Sequence, residues 1–128
     1  MNGAKLTLTP ISAGFPNAAE DAPTIPLDLN ELVIKHPAAT FFMRVSGDSM
    51  EGAGILDGDI VAIDKSLQVN SGDKVVAFID GEFTLKTFVQ NGNSGQLIAS
   101  NPKYQTIKVT EDNDFQIWGV VVSVIRLL

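Results

Sequence analysis

Short runs of apolar and β-branched residues alternate along most of the chain with turns rich in glycine, asparagine and aspartate. Runs of this length between such turns are typical of β-strands. Seven of them follow residue 39, at positions 40–45, 60–64, 74–79, 82–90, 96–100, 106–110 and 115–128. The pattern predicts a mainly β protein, built as a compact, curled antiparallel fold of about seven strands.

Two local signals sharpen this prediction. Asp80 and Gly81 separate two of the runs, and an Asp-Gly pair between strands is the strongest short signal for a hairpin. Ahead of the strands, the apolar spacing of residues 27–35 predicts a short helix. Asp28 is expected to cap this helix, with Glu31 as its capping-box partner.

The first 26 residues differ in composition, because prolines and small residues are frequent there. Proline restricts its own backbone and that of its predecessor, and it donates no backbone hydrogen bond. We therefore expect residues 1–26 to form a flexible N-terminal arm and residues 27–128 to form a β-rich domain. The arm contains the small-residue bond Ala13-Gly14, which would suit a shallow substrate pocket but is equally ordinary in a flexible tail.

Composition limits the possible functions. A chain of 128 residues with 45% hydrophobic content has enough apolar material for one domain with a real core. The net charge of −6 argues against a phosphate-binding surface, so we expect no direct nucleic-acid binding. The absence of cysteine excludes disulfides and thiolate metal sites, and we expect no metal. No apolar run approaches the roughly 18 residues of a membrane span, and the N-terminus has no secretory signal, so we expect a cytoplasmic protein.

Ser49 is the candidate nucleophile. It follows a predicted strand in the segment Val-Ser-Gly-Asp-Ser-Met, where Gly47 permits a sharp turn and leaves backbone amides free to point at a ligand. Amides in that arrangement form an oxyanion hole. The common alternative is a turn serine that hydrogen-bonds its own backbone.

Lys86 is the candidate general base. A serine needs a base to become nucleophilic at neutral pH, and with one histidine and no cysteine in the chain a lysine is the most plausible choice. Strand alternation places Lys86 on one face with Glu82, Thr84 and Phe88. A lysine acts as a base only where burial lowers its pKa, and the ordinary alternative is a solvent-facing lysine.

Several segments are more informative together than singly. They read Ala-Gly-Phe-Pro, Leu-Asp-Leu-Asn, His-Pro-Ala-Ala-Thr, Ser-Gly-Asp-Ser-Met and Asp-Gly-Glu-Phe-Thr-Leu-Lys, in that order. In this combination the chain resembles the LexA/UmuD family of self-cleaving peptidases with a Ser-Lys dyad. The resemblance extends from about residue 11 to about residue 124, which is nearly the whole chain.

The resemblance implies a fold like that of the LexA C-terminal domain, and it implies roles for individual residues. Ser49 would attack the carbonyl of the Ala13-Gly14 bond, and Lys86 would take its proton. The backbone amides of Asp48 and Ser49 would hold the oxyanion. Ser49 lies 35 positions after Gly14, and at roughly 3.3 Å per extended residue the chain can easily reach from one to the other. No cofactor is implied.

The resemblance also implies partners. Cleavage would be slow alone and stimulated, in the SOS response, by a RecA nucleoprotein filament on damaged DNA. The trimmed product would be a homodimer that acts with a UmuC-type Y-family DNA polymerase in mutagenic translesion synthesis. The apolar run 119–125 independently suggests a dimer, since an open strand edge invites aggregation unless a second copy covers it.

Other functions compete with this one. A non-catalytic dimeric adaptor could use the same fold to bind a polymerase, although Ser49, Lys86 and the Ala13-Gly14 bond argue against it. A repressor would need a helix-turn-helix domain, which the 13 residues before the bond cannot form. A signal peptidase shares the dyad but needs a membrane anchor.

Three further features are expected to be structural. We expect His36 to cap or pack, and Trp118 to lie in the core or in a dimer interface. The Asp57-Gly58-Asp59 segment lacks the other ligands of a calcium loop and is expected to be a turn beside the active site.

Overall fold

The structure, a computed structural model, describes residues 3–14, 22–110 and 112–128. The chain divides into two compact units, Met1–Lys35 and His36–Leu128. The predicted arm includes residues 1–2 and 15–21, which lie outside the described residues, and its boundary after residue 26 stays a prediction. In the described part of the chain, no helix is long and apolar enough to cross a membrane.

The smaller unit contains more backbone pairing than the sequence predicted. Strands β1 (Lys5–Thr7) and β2 (Thr24–Pro26) form an antiparallel pair, and helix α1 (Leu29–Val33) follows them. The helix begins as expected, because Asp28 Oδ1 accepts a hydrogen bond of 2.9 Å from the backbone N–H of Asn30. That bond satisfies one of the amides that a helix leaves open at its N-terminus.

The larger unit is built on one antiparallel sheet of seven strands, which confirms the predicted fold class. The strands are β3 (Thr40–Arg44), β4 (Ile60–Asp64), β5 (Lys74–Ile79), β6 (Glu82–Asn91), β7 (Ser94–Ile98), β8 (Ile107–Val109) and β9 (Phe115–Ile125). Across the sheet their order is β3-β4-β9-β5-β6-β7-β8. Short 3₁₀-helices at Pro37–Ala39 and Glu51–Ala53 flank β3. The last strand therefore lies inside the sheet, between β4 and β5.

The β5–β6 hairpin sets the position of Lys86. Asp80 and Gly81 both have positive φ, at 49° and 87°, as the two central residues of a type I′ turn require. The resulting register pairs Val75 with Lys86, and Val75 is fully buried. Because paired residues of neighbouring strands point to the same face, the turn delivers Lys86 to a buried position.

The core lies on both faces of the sheet. Adjacent residues of a strand point to opposite faces, and Val75 and Val76 accordingly belong to different apolar clusters. The cluster around Val76 includes Met50, which directly follows Ser49. Met50 is only 2% exposed, so its buried side chain anchors the Ser49 loop to the core.

An ion pair between a buried carboxylate and an exposed arginine connects the end of β9 to the turn before β4. Asp59 is 2% exposed, and its two carboxylate oxygens accept hydrogen bonds from Arg126 Nε (2.7 Å) and from an Arg126 terminal nitrogen (2.6 Å). The Arg126 guanidinium, followed by the backbone N–H of Leu56, lowers the pKa of Asp59 to about 2. This bidentate pair keeps the carboxylate charged where burial alone would disfavour the charge.

From the Asp59–Arg126 ion pair we predict how the Arg126→Met substitution changes the melting temperature. At neutral pH its melting temperature should fall by roughly 5–10 °C, because removal of one partner leaves a buried carboxylate without its counter-charge. The loss should shrink as pH falls from the ordinary carboxyl value of 3.8 towards 2, because the contribution of a lowered pKa is lost in that range. Thermal melts across pH measure this. A Lys108→Met control should change little, and an equal loss at pH 2 and pH 7 would contradict the assignment.

Candidate active site

The structure brings Ser49 and Lys86 into hydrogen-bonding contact. Ser49 lies in the loop that follows β3, and Lys86 lies in the middle of β6. The two residues are 37 positions apart in the sequence. Lys86 Nζ donates to Ser49 Oγ at 3.1 Å. A serine hydroxyl beside a lysine amine at this distance is the arrangement expected of a nucleophile and its base.

Lys86 is buried among neutral partners. Its side chain is mostly inaccessible, with 8% of the residue exposed, so the solvent-facing alternative is wrong. Besides Ser49 Oγ, Nζ donates to Thr84 Oγ1 (2.7 Å) and to the backbone carbonyl of Leu85 (3.2 Å). Burial lowers the pKa of Lys86, because the charged form loses hydration without gaining a carboxylate in exchange.

A turn on one side shapes the Ser49 loop. Gly47 has a φ of +99°, a left-handed backbone that side chains other than glycine rarely adopt. The Gly47 N–H donates to Asp57 Oδ1 at 2.7 Å. The Asp57-Gly58-Asp59 segment is thus a turn beside the site, as the sequence predicted.

The turn 100–104 between β7 and β8, which we call the clamping turn, holds the loop from the other side. The Ser100 N–H donates to the Ser49 carbonyl (2.8 Å), and the Ser100 carbonyl accepts from the Gly52 N–H (2.8 Å). Asn101 Nδ2 donates to the Asp48 carbonyl (3.0 Å). A Cβ atom at position 52 would lie 2.5 Å from the Ser100 carbonyl oxygen, so only glycine fits there.

These contacts orient the amides beside Ser49. In a planar trans peptide the C=O and the following N–H point in opposite directions. Because Asn101 holds the Asp48 carbonyl, the Ser49 N–H is directed away from Asn101. Among the described residues, neither the Asp48 nor the Ser49 amide donates to a protein acceptor. Both are available to a ligand, and their oxyanion role stays a prediction.

The side chain of Asp48 also contacts the clamping turn. Its Oδ1 accepts from the Tyr104 hydroxyl at 2.5 Å, and its Oδ2 lies 2.5 Å from Lys103 Nζ. Lys103, followed by Tyr104, lowers the pKa of Asp48. Sequence reasoning missed the clamping turn, although Asn101 before a proline signals a turn, because no sequence pattern places that turn beside Ser49.

A cleft of about 220 Å³ opens at Ser49 and Lys86. Its apolar lining includes Met43, Val61, Val76 and Phe83, among other residues of the larger unit. In the smaller unit, Ala13 and Gly14 are exposed in the segment between β1 and β2.

The remaining candidates have structural roles. His36 Nδ1 lies 2.6 Å from Asp64 Oδ2, so a hydrogen bond to this carboxylate holds the His36 ring against β4. Ser66, followed by His36, lowers the pKa of Asp64 to about 2. Trp118 is partly buried, with its ring 5.3 Å from Phe41 and 5.6 Å from Phe83 between centroids. The proposed place of Trp118 in a dimer stays a prediction.

The sequence is similar to a known protein family and to several characterised proteins. A family described as Peptidase S24-like matches residues 6–122. MucA of Salmonella typhimurium is 42% identical over 112 residues, which cover 87% of this chain and 76% of MucA. SamA of Salmonella typhimurium strain LT2 is 44% identical over 114 residues, 89% of this chain and 79% of SamA. The LexA repressor of Photorhabdus laumondii is 38% identical over 117 residues, 91% of this chain and 58% of the repressor.

The burial of Lys86 predicts how stability depends on pH. Because its pKa is lowered in the folded state, the unfolded chain binds the proton more strongly at any pH up to its ordinary value of 10.5. Stability should therefore rise as pH approaches 10.5 in the wild type, and this rise should be absent in Lys86→Met. Chemical denaturation across pH measures the difference. Lys108→Met, at an exposed position of β8, is the matched control and should keep the rise.

If the free energy of unfolding changes with pH in the same way in the wild type and in Lys86→Met, Lys86 titrates normally and its burial is not maintained in solution. If Lys108→Met also abolishes the increase of stability towards pH 10.5, the increase is an effect of general surface charge and not of Lys86.

Proposed function

Because the chain belongs to the peptidase S24-like family, in its LexA/UmuD group of self-cleaving peptidases, we propose that it is an SOS-response serine peptidase that cleaves its own Ala13-Gly14 bond. Family membership supports a self-cleaving peptidase with a role in SOS mutagenesis. The observation that most supports this cleavage is the 3.1 Å contact between Ser49 Oγ and a buried Lys86 Nζ.

In the proposed first step, neutral Lys86 takes the Ser49 hydroxyl proton as Oγ attacks the carbonyl carbon of Ala13. A C–O bond forms, and the carbonyl π electrons move to the oxygen, which the amides of Asp48 and Ser49 hold. Collapse of this intermediate breaks the bond to the nitrogen of Gly14. The Lys86 ammonium returns its proton to that nitrogen, so the leaving group departs as a neutral amine.

In the second step a water molecule hydrolyses the acyl ester. Neutral Lys86 takes a proton from the water as its oxygen attacks, and then returns it to Ser49 Oγ as the ester bond breaks. Thr84 contributes by orientation, since its hydroxyl accepts a hydrogen bond from Nζ at 2.7 Å and keeps the amine beside Ser49. Both steps require the lysine to be neutral when it accepts a proton.

The partners belong to the same proposal. A RecA nucleoprotein filament stimulates cleavage by favouring the conformation in which the arm lies extended across Ser49. The trimmed homodimer then acts with a UmuC-type Y-family DNA polymerase in translesion synthesis, in the cytoplasm. Since the filament supplies no catalytic group, it should scale the rate upward and leave the shape of its pH dependence unchanged.

The proposal predicts one product. Incubation at alkaline pH, or with RecA filament and nucleotide, should give a fragment that begins at Gly14, identified by mass spectrometry. Ser49→Ala should abolish it, because the attacking oxygen is lost. Lys86→Ala should abolish it at neutral pH, because the base is lost. We expect each loss to exceed about 100-fold.

Ser94→Ala and Lys108→Ala are matched controls outside the site and should cleave like the wild type. A product cut at another bond would contradict the scissile assignment. The absence of a product under both conditions would favour the non-catalytic adaptor instead.

The C-terminal part of β9 predicts a homodimer. The pairing of β5 with β9 extends only to Val120, whereas β4 pairs with β9 as far as Ile125, so residues 121–125 have a strand on one side. Val122 and Val124 are 43% and 39% exposed there. A second copy that pairs along this segment about a two-fold axis would cover both valines.

Light scattering at micromolar concentration should therefore give twice the chain mass of 13.7 kDa. Val122→Lys should shift the protein towards the monomer, because a charge would be buried in the interface. Leu67→Lys, at a similarly exposed apolar position of a loop, is the control and should remain dimeric. A monomeric wild type would contradict the proposal.

A further inference from the structure

The nearest acidic side chain in sequence to the nucleophile is fully paired. Asp48 directly precedes Ser49, and both of its carboxylate oxygens are engaged, one by the Tyr104 hydroxyl and the other by Lys103 Nζ. The same tyrosine ring lies near both lysines: Lys86 Nζ is 6.0 Å and Lys103 Nζ is 5.7 Å from its centroid. The two ammonium groups are therefore at most about 12 Å apart, a range at which charges still interact at low salt.

The sign of each interaction follows from simple electrostatics. A carboxylate near Lys86 stabilises its ammonium form and delays its conversion to the neutral base. A second ammonium nearby has the opposite effect, because like charges repel. A paired Asp48 and Lys103 together present almost no net charge to Lys86, whereas either one alone would present a full charge.

We propose that Lys103, oriented with Tyr104 on Asp48, neutralises the carboxylate next to the nucleophile, so that neither charge of the pair displaces the pH at which Lys86 becomes a competent base. This role rests on the proposed self-cleavage. Lys103 touches no reacting atom and acts on the reaction only through Lys86. The contacts of Asp48 place its charge on the clamping turn, away from the hydrogen-bonding shell of Lys86, which consists of neutral groups alone.

Other charged groups face this region and stay constant in the test. Arg44, from β3, lines the same cleft and donates to the Gly58 carbonyl. Glu82 shares the face of β6 with Lys86, at its exposed end. Glu51 begins the 3₁₀-helix that follows Ser49, near Lys103 and Tyr104. On the other side of the Ser49 loop, the Asp57 carboxylate accepts from the Gly47 N–H. The hydroxyl of Tyr104 is a further titratable group, and its pKa is raised by Asp48.

The test uses two single variants with opposite expected effects. Lys103→Met leaves Asp48 unpaired, so the midpoint of the cleavage rate against pH should move upward. Asp48→Asn leaves Lys103 unpaired, so the midpoint should move downward. Each shift should be on the order of half a pH unit to one unit at low ionic strength, and it should shrink with added salt.

The double variant Asp48→Asn/Lys103→Met should return the midpoint close to the wild-type value, because both charges are gone. Lys103→Arg keeps the ion pair with Asp48, so its midpoint should stay at the wild-type value. Lys108→Met is the control for loss of one positive charge. Its position pairs with Gln96, which pairs with Val89, so it lies on the face of the sheet opposite to Lys86.

A second readout does not depend on cleavage. The titration of Lys86 can be followed by NMR of ¹³C-labelled lysine side chains in a Ser49→Ala background, with Lys86→Arg to assign the resonance. The same upward, downward and restored midpoints should appear there. If they appear without any cleavage in active chains, the electrostatic role stands and the proposed self-cleavage fails.

The proposal is overturned if both single variants shift the midpoint in the same direction, or if neither shifts it while the rate falls at every pH. The latter result would make the clamping turn a purely structural support of the Ser49 loop. Failure of the double variant to restore the midpoint would also overturn it, since the two shifts would then have causes other than charge.

Discussion

The burial of one lysine among neutral partners is the constraint on which the rest of the site depends. An ammonium group in a desolvated position is costly unless a carboxylate accompanies it. Lys86 hydrogen-bonds instead to two hydroxyls and a carbonyl, none of which is charged. The fold thus weakens the hold of this amine on its proton, which makes a normally inert side chain useful as a base.

The sheet supplies this environment through register and turn contacts. The Asp80-Gly81 turn determines that Lys86 pairs with buried Val75, and a slip of one residue would move Lys86 to the opposite face. The Ser49 loop is fixed from two sides, by Asp57 through Gly47 and by Ser100 through Ser49 itself. The two halves of the dyad therefore come from distant segments but are held by backbone hydrogen bonds, which tolerate little displacement.

The strands of the seven-stranded sheet were predictable from the sequence, whereas the β1–β2 pair and the contacts between loops were not. The runs at 60–64 and 74–79 coincide with β4 and β5, because a short apolar run rich in β-branched residues between turn residues is a local signal. The last strand ends at Ile125 instead of continuing to 128, and Leu127 and Leu128 are highly exposed. The pairing of β1 with β2 depends on the return of the chain over 16 intervening residues, which no local pattern encodes.

The candidate site shows the same division. Ser49 and Lys86 were identifiable because their segments carry a family resemblance, and the structure adds the distance between them. The clamping turn and its contacts with Asp48 could not have been found in this way. A hydrogen bond between Tyr104 and Asp48 joins residues 56 positions apart, and it depends on tertiary packing that a sequence pattern does not contain.

The central claim is that neutral Lys86 is the base for Ser49, and a comparison of two pH midpoints tests it most directly. The rate of self-cleavage is measured against pH, and the titration of the Lys86 side chain is measured by NMR in chains that cannot cleave. We expect the rate to rise with pH and its midpoint to coincide with that of Lys86, below the ordinary lysine value. A rate that is flat across the titration of Lys86, or a Lys86 that titrates like a surface lysine, would contradict the account.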